Sequence, residues 1–110
     1  MKCNQILIIR TGALGDVILT LPLIQSLRAA FPHAQIQMLG KTETLTLAQE
    51  YVNRTDSIDH ADWAPFFIAR TTLPPNRVQN LSATDLVLSY LPDPDGTFTA
   101  NLRRAGAQTV

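Results

Sequence analysis

What this chain has little of bounds it first. Among its 110 residues there is one cysteine, one tryptophan and no excess of either charge, since nine Lys and Arg balance nine Asp and Glu. A lone Cys3 cannot close an internal disulfide, which places the expected home of the chain in the reducing cytoplasm. Cys3 also precedes the first strand with no visible partner, so it is not read as a nucleophile. Zero net charge removes the long-range pull that draws proteins to nucleic acid or anionic lipid. No apolar run approaches the ~18–20 residues of a membrane span. The first run, Ile6-Leu7-Ile8-Ile9, is broken by Arg10 and is far shorter than the roughly 7–15-residue core of a secretory signal. Two phosphate-binding patterns are missing as well. The G-x-G-x-x-G fingerprint and the Walker Gly-Lys-Ser/Thr do not occur, and Gly40-Lys41 stands where a dinucleotide site would close its second strand with an acid.

What is present is the make-up of one globular domain with a core: 45% hydrophobic and 16% charged residues. Strand and helix patterns alternate along it. Gln5–Ile9 reads as a buried strand. A helix lies within Asp16–Ala30, with Val17, Leu21, Ile24, Leu27 and Phe31 on one face; either Pro22 falls in its first turns, or Asp16–Leu19 form a separate turn and Thr20 caps the main helix. Gln35–Leu39 alternates polar and apolar and makes the second strand, closed by Gly40. Thr42–Val52 follows as a helix and Ser57-Ile58 as a short third strand. From His60 to Asn80 the pattern is irregular, with Trp63, Phe66, Phe67 and Pro74-Pro75, and predicts a loop holding a short helix. Asp85–Tyr90 is the next strand and Pro92–Gly96 a turn. Thr97–Ala105 reads as a helix stopped by Gly106, and Ala107–Val110 as the opening of a further strand. The fold class this predicts is α/β, a Rossmann-like three-layer arrangement on a parallel sheet. A strand begun at the end leads to the expectation of a longer protein.

The chemistry concentrates in Arg10-Thr11-Gly12-Ala13-Leu14-Gly15-Asp16, between the first strand and the first helix. The glycines suit either a tight turn or a close approach to ligand. Asp16 suits either a helix cap, accepting from unpaired N–H groups, or a general base at the carboxyl edge of the sheet. Arg10 and Lys41 stand at strand ends, where each suits either contact with a phosphate or an acidic sugar or plain solvated charge, the latter being the stronger reading for Lys41. Asp93-Pro94-Asp95 matches the D-x-D pattern of metal-dependent sugar transferases, but three positions match easily by chance. His60 and Trp63 fit a sugar-stacking loop less well than an ordinary loop tucked on the core.

The run from Ile6 to Leu23, followed by Leu27-Arg28 and Phe31-Pro32, resembles the start of glycosyltransferase family 9, the ADP-heptose:lipopolysaccharide heptosyltransferases and their relatives. Weaker similarity continues through Asp85–Leu88 and Leu102–Ala107. The resemblance implies an inverting, metal-independent enzyme with two Rossmann-like domains. Residues 1–110 would form part of the N-terminal, acceptor-side domain, and the donor-binding C-terminal domain would be absent. It places the family's catalytic base on Asp16 and its loop on Thr11–Gly15, so that Thr11, Gly12, Ala13 and Gly15 join Arg10 and Lys41 as candidate acceptor-binding residues. It further implies a heptose or similar sugar moved from a nucleotide-sugar such as ADP-heptose to a lipopolysaccharide or related saccharide. No cofactor or metal would be required, and the enzyme would sit in the cytoplasm or peripherally at the inner membrane through its acceptor. Without the donor half this chain is expected to be inactive alone; a non-catalytic sugar- or nucleotide-binding module is the alternative, and a metal-dependent transferase using Asp93 and Asp95 a more remote one. Two departures bear on the acceptor. His60–Pro65 lacks the arginine-rich segment that suits phosphorylated acceptors, and Ser89-Tyr90-Leu91-Pro92 replaces an acidic-glutamine-glycine sequence.

Overall fold

The computed structural model describes residues 3–109. Four strands, β1 (Gln5–Ile9), β2 (Gln35–Gly40), β3 (Arg54–Ser57) and β4 (Leu86–Ser89), form one parallel sheet in the order β3-β2-β1-β4. Four α-helices, α1 (Leu14–Ala30), α2 (Thr42–Ala48), α3 (Pro75–Ser82) and α4 (Thr97–Arg104), and a 3-10 helix (Ala61–Phe67) cover it. Successive side chains on a strand face opposite ways, and β1 uses both sides for core. Ile6 and Ile8 pack with Ile36, Met38, Val17, Ile24, Leu45 and Ala48 under α1 and α2. Leu7 and Ile9 pack with Leu39, Val87, Trp63, Phe66, Phe98 and Leu102 under the 3-10 helix, α3 and α4. This is the three-layer, Rossmann-like α/β fold expected.

Helix α1 is continuous and starts at Leu14, so Pro22 is the ninth of 17 residues, at mid-helix rather than in the first turns. Pro22 has no N–H for the Ile18 carbonyl. Two residues earlier, the Thr20 hydroxyl donates to the Asp16 carbonyl at 2.8 Å, a local back-bond of the kind that accompanies bent helices. Val17, Thr20 and Ile24 are buried, with Leu21, Leu27 and Phe31 packed at the margin.

Three elements differ from the sequence reading. Helix α2 stops at Ala48, short of Val52. Strand β3 lies at Arg54–Ser57, beginning three residues before the expected Ser57-Ile58, because a polar edge strand needs only β2 beside it, with Met38 paired to Thr55. The stretch 60–80 holds two helices rather than a loop with one. Pro75 occupies the first position of α3, where a missing N–H costs nothing. Gly106 does end α4, at a φ of 108° that disfavours other residues. Beyond it Ala107–Thr109 is not regular strand, although the Val87 N–H donates to the Thr109 carbonyl at 2.7 Å along the free edge of β4. Val110, the end of that expected strand, lies outside the described residues.

Candidate active site

In a sheet ordered β3-β2-β1-β4 the connections run one way from β1 to β2 and the other way to β4. In open α/β sheets such a reversal marks the usual ligand position, which here falls at the carboxyl ends of β1 and β4. Arg10 leaves β1 there and Tyr90 leaves β4. The Tyr90 N–H donates to the Ile9 carbonyl at 2.9 Å, and the Arg10 N–H donates to the Leu39 carbonyl at 2.9 Å. The two side chains are thereby set side by side above the sheet. The Arg10 guanidinium lies over the Tyr90 ring, 4.8 Å from its centroid.

Asp16 enters the same place from α1, as the third residue of the helix. Its Oδ2 accepts from the Ala13 N–H at 3.0 Å. This is the returning half of a capping box, whose other half is missing because Ala13 has no side-chain acceptor. Its Oδ1 is 3.2 Å from the Arg10 guanidinium. The carboxylate is thus held from two sides, yet its side chain is 44% exposed and open to a ligand. Capping and chemistry, alternatives in the sequence, are compatible in this geometry.

The two loop glycines separate in meaning. A Cβ on Gly12 would run into the Asp16 carboxylate, whereas one on Gly15 would meet nothing within 4 Å. Gly12 is therefore the residue that makes room for the Asp16 carboxylate, and Gly15 carries no steric requirement. Ala13 and Gly15 are exposed, Thr11 and Gly12 half-buried. Lys41 precedes α2 as its exposed N-cap, at the carboxyl end of β2. Arg10, Thr11, Gly12, Ala13, Gly15 and Asp16 are thus gathered at β1, with Lys41 one strand away.

The other sequence candidates have structural employment. Asp93 and Asp95 cap α4: Asp93 accepts from the Phe98 and Thr99 N–H groups at 3.1 and 2.8 Å, and Asp95 from Thr97 at 3.0 Å. Burial pushes the Asp93 carboxyl up, and the hydrogen bonds from Thr99 and Phe98 outweigh it, holding it below the ordinary carboxylate value. Trp63 is only 2% exposed, so its ring is core and cannot face a sugar. Its Nε1–H donates to Asp56 Oδ2 at 3.1 Å. Arg77, also buried, donates to that same oxygen at 2.5 Å and stacks over the Trp63 ring at 4.9 Å. The exposed His60 caps the 3-10 helix by accepting from the Asp62 N–H at 3.1 Å. Burial, helped by the Asp85 charge, pushes the Cys3 thiol up and away from the reactive thiolate.

Asp56, Arg77 and Tyr90 escaped the sequence reading as interacting groups. The only signal for the first two was an acid and a base flanking an aromatic stretch, and nothing local ties Tyr90 to Arg10.

Among the described residues no helix is long and apolar enough to cross a membrane. No family model matches the sequence, and no curated protein matches it. The fold, however, is similar to the crystal structure of the glycosyl transferase family 9 protein from Veillonella parvula DSM 2008, with a TM-score of 0.59 and 20% sequence identity over 96% of this chain. The chain spans 30% of the length of that protein. At this identity the likeness establishes a shared fold.

Proposed function

We propose that this chain is the acceptor-side part of an inverting, metal-independent glycosyltransferase in which Asp16 is the general base. The observation that carries the reading is the half-exposed Asp16 carboxylate, steadied by Ala13 and Arg10 at the carboxyl end of β1. In the reaction the acceptor hydroxyl oxygen attacks the anomeric carbon of a nucleotide-activated sugar. Its proton passes to Asp16 as the new C–O bond forms. The bond from the anomeric carbon to the diphosphate oxygen breaks from the opposite face, and the nucleoside diphosphate leaves with the electron pair. A base in hydrogen-bond reach of a hydroxyl that acidifies during attack contributes about 10²–10⁴-fold.

Arg10, Thr11, Gly12, Ala13 and Gly15 would position the acceptor, with Lys41 at the rim. The donor, such as ADP-heptose, would be held by a second Rossmann-like domain, and in-line attack requires both halves. The likeness in fold to a family 9 protein of more than three times this length supports that division of labour. The acceptor would be a lipopolysaccharide or related saccharide at the cytoplasmic membrane face, reached peripherally. Residues 61–67, folded as a 3-10 helix with no basic residue, favour an acceptor less phosphorylated than one that needs an arginine cluster.

The test has two arms. With the ¹⁵N-labelled chain, a lipopolysaccharide core oligosaccharide should shift the amides of residues 11–16, while ADP-heptose should leave them in place. In a protein joining this chain to a donor-binding half, Asp16→Ala should abolish transfer and leave donor binding nearly intact. Shifts at residues 11–16 with ADP-heptose alone would turn the reading into a nucleotide-binding module; retained transfer by Asp16→Ala would reduce Asp16 to a cap.

A further inference from the structure

The Arg10 guanidinium is oddly served for a group with five N–H donors. Its Nε is buried and has no hydrogen-bond partner. What it has is the Tyr90 ring 4.8 Å away on one side and Asp16 Oδ1 3.2 Å away from a terminal nitrogen. A guanidinium stacked on an aromatic face keeps its edge free for in-plane pairing, and the ring fixes the plane in which that edge lies. The ring is 46% exposed, and the backbone that carries it is anchored. Tyr90 follows directly on β4, whose register pairs Ser89 with Ile9, and its N–H is bonded to Ile9.

We propose that Tyr90 is a positioning residue for the reaction assigned to Asp16: its ring holds the Arg10 guanidinium, and Arg10 in turn holds the Asp16 carboxylate. The inference rests on the reading of Asp16 as base and deepens it. It also gives the Ser89–Pro92 departure a purpose, because the aromatic group stands where the chain leaves the strand next to β1. The relay runs from β4 through β1 to α1, so three separate elements set one carboxylate. The phenol hydroxyl takes no part, since the contact is with the ring.

The test uses the 110-residue chain and two local readouts at Asp16, namely hydrogen exchange of the Ala13 N–H that donates to Oδ2 and the ¹³Cγ resonance of Asp16. Stacking at a partly exposed site corresponds to a factor of roughly two to five in an equilibrium constant. Because that ordering reaches Asp16 only through a screened ion pair, Tyr90→Ala should speed Ala13 exchange by up to about 1.7-fold and move the Asp16 resonance in the direction produced by Arg10→Gln. Tyr90→Phe should restore both to the parent values, and exchange in the β1 core should be unchanged throughout. Parent values in Tyr90→Ala, or a Tyr90→Phe variant that behaves like Tyr90→Ala, would overturn the proposal. Transfer retained by Asp16→Asn in the joined enzyme would remove the catalytic purpose of the stack while both resonance effects persisted, so the two failures are separable.

Discussion

Exchanging each of the two loop glycines for alanine should move stability in opposite directions. At Gly12 the added Cβ collides with the Asp16 carboxylate, which must rotate away. That movement breaks the Ala13 N–H···Oδ2 bond and separates Oδ1 from Arg10. Loss of a helix cap costs about 0.5–2 kcal/mol. The ion pair contributes less, about 0.3 kcal/mol, because the Asp16 side chain is 44% exposed and the pair is screened. Gly12→Ala should therefore destabilise by about 1–2 kcal/mol. Gly15 is the second residue of α1 with open space where its Cβ would stand. Alanine there removes backbone freedom from the unfolded chain and favours the helix, for a gain of about 0.5–1 kcal/mol. The gap between the two variants is about 2 kcal/mol, or roughly 10 °C in Tm for a domain of this size. Thermal and urea unfolding followed by far-UV circular dichroism and by the single tryptophan, Trp63, measure it. Equal shifts of the same sign in both variants would refute the assignment of Gly12 as the residue that makes room for Asp16.

Acid should loosen α4 before the sheet. Asp93 is held below its ordinary value in the folded chain, so its contribution is complete above the unfolded value of about 3.9 and is lost as pH falls through the lower folded value. Asp93→Ala should cost about 0.5–2 kcal/mol near pH 7, and the difference from the parent should narrow toward pH 3 in urea titrations. A difference independent of pH would contradict this. Arg77→Ala should cost about 3 kcal/mol, since it leaves the Asp56 carboxylate, already largely enclosed with Trp63, without its cation. Changed Trp63 emission in the native state should accompany it, and a loss under 1 kcal/mol would show the pair to be solvated.

Legibility in the sequence followed the range of the interactions involved. Strand β1, the glycine turn and α1 are written in adjacent residues with clear periods, and Asp16 is placed by its distance from Ile9 alone. Strand β3 was harder to read because Arg54-Thr55-Asp56-Ser57 has no apolar pattern; its position is dictated by the hydrogen bonds that β2 offers. Pro74-Pro75 signals a break wherever it occurs, and only the fold shows that the break is also a helix start. Trp63 carried an ambiguity between sugar platform and core that its 2% exposure resolves. The Tyr90–Arg10 and Arg77–Asp56 contacts join residues far apart in the chain, and no local spacing encodes them. The sequence therefore disclosed Asp16 and the loop that holds it without the Tyr90 ring behind Arg10.

Because one carboxylate caps the helix and is also the proposed base, its variants must separate the two. Asp16→Asn keeps an amide oxygen that can still accept from the Ala13 N–H while giving up the charge facing Arg10. Its stability loss should be small, below about 1 kcal/mol, since the cap survives and only a screened pair is gone. Asp16→Ala removes the cap as well and should cost about 1 kcal/mol more. As a base the amide is useless, so both variants should lose transfer equally in the joined enzyme, by about 10²-fold or more. Stability would then rank parent, asparagine, alanine, while activity would fall in a single step at the first substitution. Activity that instead tracked stability through the three would mean that Asp16 matters only for holding the loop. A single step at asparagine would place the proton on Asp16.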